Sequence, residues 1–295
     1  MSGRILVVGD VMTDIIVKPN GPIVPGSDRT ASIRNRPGGS GANQAVWLGA
    51  AGAEVMFAAR VGADERAMYE NYFRGLGVVP ALAGDKDLPS GVLVTILDPS
   101  GERSFLTDRG ANLNLSVNDL SPELLDGVGL VMVSGYSFFA DGPRRAVQAL
   151  LVAARQRHVA VAIDPASIGF LAEVGPQLFR EWIGPADWLF ANESEAEALT
   201  GEAAFEAQMR LLGEQFTNVV IKRGRYGAAL GGDDGVRLSL PAPVVSVVDT
   251  TGAGDAFAAG FLASLLRGED HETCLRNGIA SGAKAVQFVG GQPER

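Results

Sequence analysis

The sequence predicts an α/β fold: a three-layer α/β/α sandwich with a mostly parallel central sheet and a small β lid. Three observations point to it. Short apolar, β-branched runs alternate with helical patterns through most of the chain, the rhythm of strands joined by crossover helices. Two hairpin-like stretches, at about 11–36 and 91–107, break that rhythm and so fall outside the main sheet. The 38 glycines cluster at 37–41, 224–235, 252–254 and 290–291, where tight turns or backbone close to a ligand are expected. With 295 residues, 46% of them hydrophobic and 20% charged, the chain reads as one domain, 1–295, carrying the lid.

The elements follow in order. Arg4 to Gly9 is a short apolar run ending in glycine, a buried strand. Residues 11–18 and 30–36 alternate around a Pro/Gly-rich tip, as a half-exposed hairpin does. Gly41 to Gly52 has helical spacing, with Ala45, Val46, Leu48 and Gly49 on the buried side. A second buried strand runs from Glu54 to Val61, then a helix from Asp64 to about Arg74. Gly91–Leu97 and Arg103–Thr107 flank Asp98-Pro99-Ser100-Gly101, which has turn chemistry. The alternation then continues with strand 129–133, helix 143–157, strand 159–163, helix 176–182, strand 187–190, helices 193–200 and 203–215, and strand 218–222. Antiparallel strands are expected at 227–231, 236–240 and 245–248, and helices at 253–267 and 271–287.

Charge and cysteine usage narrow the function classes. The formal charge is −9 and no basic run occurs, so nucleic acid or an anionic membrane is not expected as the main partner. Phosphates remain open, because backbone N–H groups bind them without side-chain charge. Cys274 is the only cysteine and His158 and His271 the only histidines, too few for an internal disulfide or a zinc site built on them. Met1-Ser2-Gly3 precedes the first strand, and no apolar run reaches the roughly 20 residues of a membrane helix. A soluble, cytoplasmic protein is expected.

Two motifs can carry chemistry. Asp249-Thr250-Thr251-Gly252-Ala253-Gly254-Asp255 lies between the expected strand Val244–Val248 and an apolar helix. Glycines at such a turn expose N–H groups at a helix start, where the macrodipole also favours an anion. A carboxylate beside a bound phosphate suits a base for an attacking hydroxyl. The dipole is expected to keep Asp255 ionised and weakly basic, which a loose phosphoryl-transfer transition state tolerates. The bland alternative is that Asp255 only compensates the dipole. The second motif is Pro37-Gly38-Gly39-Ser40-Gly41-Ala42-Asn43-Gln44-Ala45, in which glycines admit a ligand and the Asn43 amide suits a sugar hydroxyl; a glycine turn before a polar first helical turn reads the same way. No G-x-x-x-x-G-K-[ST] or G-x-S-x-G occurs, and Gly9 opens no G-x-G-x-x-G.

Together the two segments resemble the signature regions of the ribokinase-like family, the phosphofructokinase-B group of carbohydrate and nucleoside kinases. The resemblance covers nearly the whole chain. It implies that Asp255 is the catalytic base and that the N–H groups of Gly252, Ala253, Gly254 and Asp255 form the anion hole. It implies ATP and Mg²⁺ as cofactors. Asn192 and Glu195 match the family's N-x-x-E, with Glu195 reaching Mg²⁺ through water; Asn192 capping an acidic helix start would give the same letters. Lys222, Gly224 and Gly227 match the strand-turn-strand over the triphosphate and adenine, although exposed basic loop residues are commonly just solvated. Asn277 matches a position near the adenine. Asp14, Gly38, Gly39, Ser40 and Asn43 match the acceptor site. Potassium-activated relatives bind K⁺ through an aspartate matching Asp249, with backbone oxygens at Thr251, Val286 and Gly291 as the remaining ligands; equally, Asp249 merely hydrogen-bonds its turn.

Departures from ribokinase narrow the acceptor. Ribokinase has lysine at Ser40 and asparagine at Met12, and a glutamate is expected where Ser134-Gly135-Tyr136-Ser137-Phe138-Phe139 stands. Met12, Tyr136 and Phe138 make a roomier, more apolar pocket, so ribose is expected to be poor, a hexose-type sugar first and a nucleoside second. Arg109 is expected exposed beside Asp108; turned inward, it would favour an acid or phosphate on the acceptor. The reading is ATP-dependent phosphorylation of a primary hydroxyl of a sugar-like molecule, with a nucleoside kinase or a non-catalytic ligand sensor as alternatives. The protein is expected to be a monomer or a homodimer paired through the lid.

Overall fold

The computed structural model describes residues 3–97 and 103–293. The chain runs β1 (Arg4–Val8), β2 (Met12–Pro19), β3 (Ala31–Gly38), α1 (Ser40–Ala50), β4 (Val55–Gly62), α2 (Arg66–Arg74), β5 (Val78–Asp85), β6 (Gly91–Leu97) and β7 (Arg103–Asp108). After three short 3₁₀ turns come β8 (Val128–Ser134), α3 (Asp141–Gln156), β9 (Ala160–Asp164), α4 (Ile168–Val174), α5 (Pro176–Ile183), β10 (Ala186–Asn192), α6 (Glu193–Thr200) and α7 (Phe205–Gly213). The chain continues through β11 (Phe216–Lys222), β12 (Ala228–Gly232), β13 (Gly235–Leu240), α8 (Ala253–Leu266) and α9 (His271–Ala285).

Nine strands form one sheet in the order β13-β12-β11-β10-β9-β8-β1-β4-β5, antiparallel only at β12 and β13. Both faces are covered, which is why the central strands are continuously apolar rather than alternating. Successive residues of β1 feed different cores. Ile5 and Val7 pack with residues of α1, α2, α8 and α9, whereas Leu6 and Val8 pack with residues of α3 and α5–α7. These are the three predicted layers. Gly9 and Gly41 explain part of the glycine excess: a Cβ on Gly41 would stand 2.5 Å from the Gly9 Cα, so α1 can lie against the end of β1 only without side chains there.

The two early hairpins form one four-stranded sheet, β3-β2-β6-β7, because β2 and β6 also pair with each other in parallel. The Asp98–Gly101 turn lies outside the described residues. The structure adds two elements and corrects one expectation. Residues 78–85 form β5, paired in parallel with β4 and carrying Pro80; it is an edge strand, where a missing N–H is tolerated. A short helix, α4, precedes α5. Residues 245–248 form no strand. Val244, Val247 and Val248 are exposed, so their β propensity goes unused.

Candidate active site

Parallel strands place their carboxyl ends on one side of a sheet, and a crevice opens there where the strand order reverses. Here the reversal lies at β1, flanked by β8 and β4. Asp10 follows β1, Tyr136 follows β8, Asp164 ends β9, Asn192 ends β10 and Lys222 ends β11, and all five line one cleft of about 1120 Å³. Its other walls include the start of α8, the last turns of α9, residues 242–247, and Leu93, Phe105, Thr107 and Arg109 of the small sheet and its exit.

Asp255, in the first turn of α8, is held by three side chains of α1. Ser40 Oγ donates to its Oδ1 at 2.8 Å, Gln44 Nε2 to Oδ1 at 3.1 Å, and Asn43 Nδ2 to Oδ2 at 3.0 Å. Three donors occupy three of a carboxylate's roughly four lone-pair positions, leaving one for a substrate hydroxyl. Loss of hydration, then the nearby Asp164, pushes the Asp255 carboxyl up to about 7 despite these donors. The expectation that Asp255 is only weakly basic is therefore corrected: burial and Asp164 make it more basic than an ordinary carboxylate. Ser40 and Asn43 serve Asp255 directly. Gln44 was quoted in the motif without a role; its i, i+4 spacing from Ser40 was the signal that both face one way.

The turn before α8 has the expected geometry. Gly252 caps it with φ +72°, and Gly254 and Asp255 are N–H donors of the first turn, which lack partners within the helix. Ala253 N–H already donates to the Thr250 carbonyl at 3.2 Å, so its share in an anion hole is reduced. Lys222 stands beside this turn: its Nζ is 3.1 Å from where a Gly254 Cβ would lie. Far from being a solvated loop residue, Lys222 makes an ion pair with Asp164 at 2.9 Å. Burial alone would depress its ammonium, but Asp164 and Glu195 hold it above the usual lysine range. Asp164 was not predicted, since a strand-terminal aspartate carries no local signal. Asn192 does cap α6, in a reciprocal box with Glu195. Glu195 nonetheless lines the cleft, buried, with burial pushing it up to about 7 against the pull of Lys222.

At the other end of the cleft, Asp14 is buried on β2 against Gly38, which has no side chain to displace it. Burial, then Asp10 and Asp249, pushes Asp14 up to about 7, and its Oδ1 has no hydrogen-bond partner. Gly39 and Met12 line this end. Tyr136 does too, but Phe138 is fully buried against Phe179; Phe170, packed on Tyr136 at 5.7 Å, takes the place expected for it. Arg109 turns inward, against expectation, with its guanidinium 5.6 Å from the Tyr136 ring.

Gly224 and Gly227 line the cleft near residues 242–247. Asn277 does not: its amide donates to Ser264 and Glu269 beside a separate, smaller pocket. Of the residues matched to a K⁺ site, three accept hydrogen bonds within the protein. Asp249 accepts the N–H groups of Thr251 and Gly290, Val286 O accepts those of Val248 and Asp249, and Gly291 O accepts the Trp47 indole N–H. These hydrogen bonds tie the turn together.

A family profile described as pfkB family carbohydrate kinase matches residues 2–294. The chain belongs to that family. Among its relatives, the bifunctional protein HldE of Pseudomonas syringae pv. tomato is 31% identical over 94% of this chain, which spans 59% of that protein's length. Aminoimidazole riboside kinase of Salmonella typhimurium is 31% identical, over 97% of this chain and 90% of the relative. The solved ribokinase of Thermotoga maritima superposes with a TM-score of 0.82 at 26% identity, covering 98% of this chain and 95% of that one.

The residues of this pfkB family member fit ATP. Val244, Val245, Val247, Ile279 and Ala283 offer an apolar slot for a base, next to the N–H groups of α8 and to Lys222. They also fit Mg²⁺ carried on the nucleotide. No group of three or more potential ligands is arranged to cage a metal among the described residues, but Mg²⁺ keeps most of its waters and needs one or two carboxylates. Glu195 and Asp164, which both line the cleft, would supply them.

Proposed function

We propose that the enzyme transfers the γ-phosphoryl group of ATP to a primary hydroxyl of a sugar-like acceptor. One observation supports this reading above the others: Asp255, held by three donors of α1 in the first turn of α8, lines the same cleft as the buried carboxylate Asp14. In the reaction, the acceptor oxygen bonds to the γ-phosphorus and the bond to the bridging oxygen breaks, releasing ADP. The hydroxyl proton passes to Asp255. The N–H groups of Gly252, Gly254 and Asp255, with Lys222, hold the charge on the transferred group. Asp14 and Asn43 orient the acceptor's other hydroxyls. Mg²⁺, when bound beside Glu195 and Asp164, neutralises phosphate charge. The small sheet closes over the acceptor end and excludes water, which limits wasteful hydrolysis.

Phe105, Tyr136 and Phe170 line the acceptor end and present faces on which a base stacks, so a nucleoside is the second reading. The test is ATP turnover against pentoses, hexoses, sugar acids, sugar phosphates and nucleosides. Acceptor-dependent ADP release is expected. ATP binding with no acceptor-dependent turnover across that panel would favour a ligand sensor.

A further inference from the structure

We propose that Arg109 makes the acceptor site select a polyol bearing an oxyanion, a carboxylate or a phosphate, remote from the hydroxyl that is phosphorylated. The proposal rests on the kinase reading and names the acceptor class within it. Two charged side chains of opposite sign each keep an unsatisfied polar atom at this end of the cleft. Arg109 Nη1 is buried with no hydrogen-bond partner, and so is Asp14 Oδ1. Neither satisfies the other. A buried donor or acceptor left without a partner is costly, and native proteins rarely keep one without a use. A single molecule spanning the two groups would satisfy both, giving hydroxyl protons to Asp14 and taking the guanidinium's protons on an anionic group.

The placement of Arg109 is built rather than incidental. Asn112 Nδ2 donates to the carbonyls of Arg109 and Val11, both at 2.8 Å, while Val11 N–H donates to Asn112 Oδ1 at 2.9 Å. The base of the arginine is thereby pinned to the segment leading into β2 and Asp14. Asp108, the neighbour that would otherwise pair with it, accepts from Gly110 N–H at 3.0 Å within its own turn. The other cations on the cleft wall, Lys222 and Arg225, belong to the nucleotide side. Tyr136 supports the guanidinium face and leaves the edge, where the N–H fork lies, for an oxyanion.

Matched pairs test this: gluconate against glucitol for a carboxylate, fructose 6-phosphate against fructose for a phosphate. Each is measured as acceptor-dependent ADP release and by calorimetric titration in the absence of ATP. At least one anionic member is expected to exceed its neutral counterpart by about 30-fold or more in kcat/KM or affinity, and the winning pair identifies the oxyanion. Arg109→Met is expected to bring that ratio to within about threefold of one, and Arg109→Lys to restore part of it, since lysine keeps the charge without the fork. KM for ATP and the melting temperature report whether the variants are intact. Neutral and anionic members equal in both pairs would overturn the proposal, as would an intact Arg109→Met that weakens both members equally. Turnover of neutral sugars without preference sinks only this inference; no ATP binding at all sinks the kinase reading, and the calorimetric pairs on wild type still decide the role of Arg109.

Discussion

At the scale of single residues, the carboxylates of the cleft are held against their solvation. Asp255 and Asp14 are each pushed up to about 7, foremost by burial. A base must be deprotonated, so kcat/KM for the acceptor should rise with pH, roughly tenfold per unit below 7, and level off above it. A flat profile between pH 5 and 8 would contradict Asp255 as the base. Asp255→Asn keeps the shape and removes the base; kcat should fall by about 10²-fold or more with ATP binding retained. Asp14 has a consequence for stability as well. Its folded-state pKa lies above the ordinary value of 3.8, so the native state holds a proton that the unfolded chain releases. Stability therefore falls as pH rises from about 4 to about 7. Asp14→Asn removes that penalty. The melting temperature of the variant relative to wild type should increase between pH 5 and pH 8, and an unchanged difference would show that Asp14 is not desolvated as argued.

At the scale of elements, the site depends on how α8 begins. Gly252 has φ +72°, and a Cβ on it would stand 2.5 Å from the Gly291 Cα. The residues after α9 are fixed in turn: Arg36 Nη1 donates to the Val289 carbonyl at 2.7 Å, and Trp47 Nε1 to the Gly291 carbonyl at 2.9 Å. The 252–254 and 290–291 glycine clusters are thus two sides of one contact. Gly252→Ala adds about 1–2 kcal/mol of left-handed strain and a backbone clash. It should lower kcat sharply and the melting temperature by several degrees; normal kinetics with normal melting would mean that the turn tolerates another shape.

At the scale of the whole molecule, one cleft is walled by the carboxyl ends of the main sheet and by the small sheet, and the proposed function assigns the first to the nucleotide and the second to the acceptor. Met12, Phe105, Tyr136 and Phe170 give that acceptor end an apolar share of its wall, beside polar groups that include Asp14, Asn43 and Arg109. Ribose, which buries little apolar surface, should be a poorer acceptor than a hexose-type sugar in kcat/KM. A tenfold advantage for ribose would show that these side chains do not shape the pocket. The small sheet also leaves Ile33 and Leu106 exposed. Sedimentation of wild type against Leu106→Lys would reveal a dimer joined through it, as a change of mass.

Local pattern determined the alternation of strands and helices, and hence the layered fold, because a short continuous apolar run marks a strand buried on both faces and a spacing of three or four residues marks a helix. The motif at 249–255 likewise carried its own geometry, since a glycine turn into a helix is local. The sequence could not show β5, whose proline and small residues acquire strand character only beside β4, nor that Val244–Val248 would find no partner. It left Arg109 outside and Phe138 in the pocket, because Arg109 meets Tyr136 and Phe138 meets Phe179 only across the folded chain. The raised basicity of Asp255 belongs to the tertiary structure as well. The helix start is visible in the letters, but the burial and the Asp164 charge that raise Asp255 exist only once five strand ends and α1 close around one cleft.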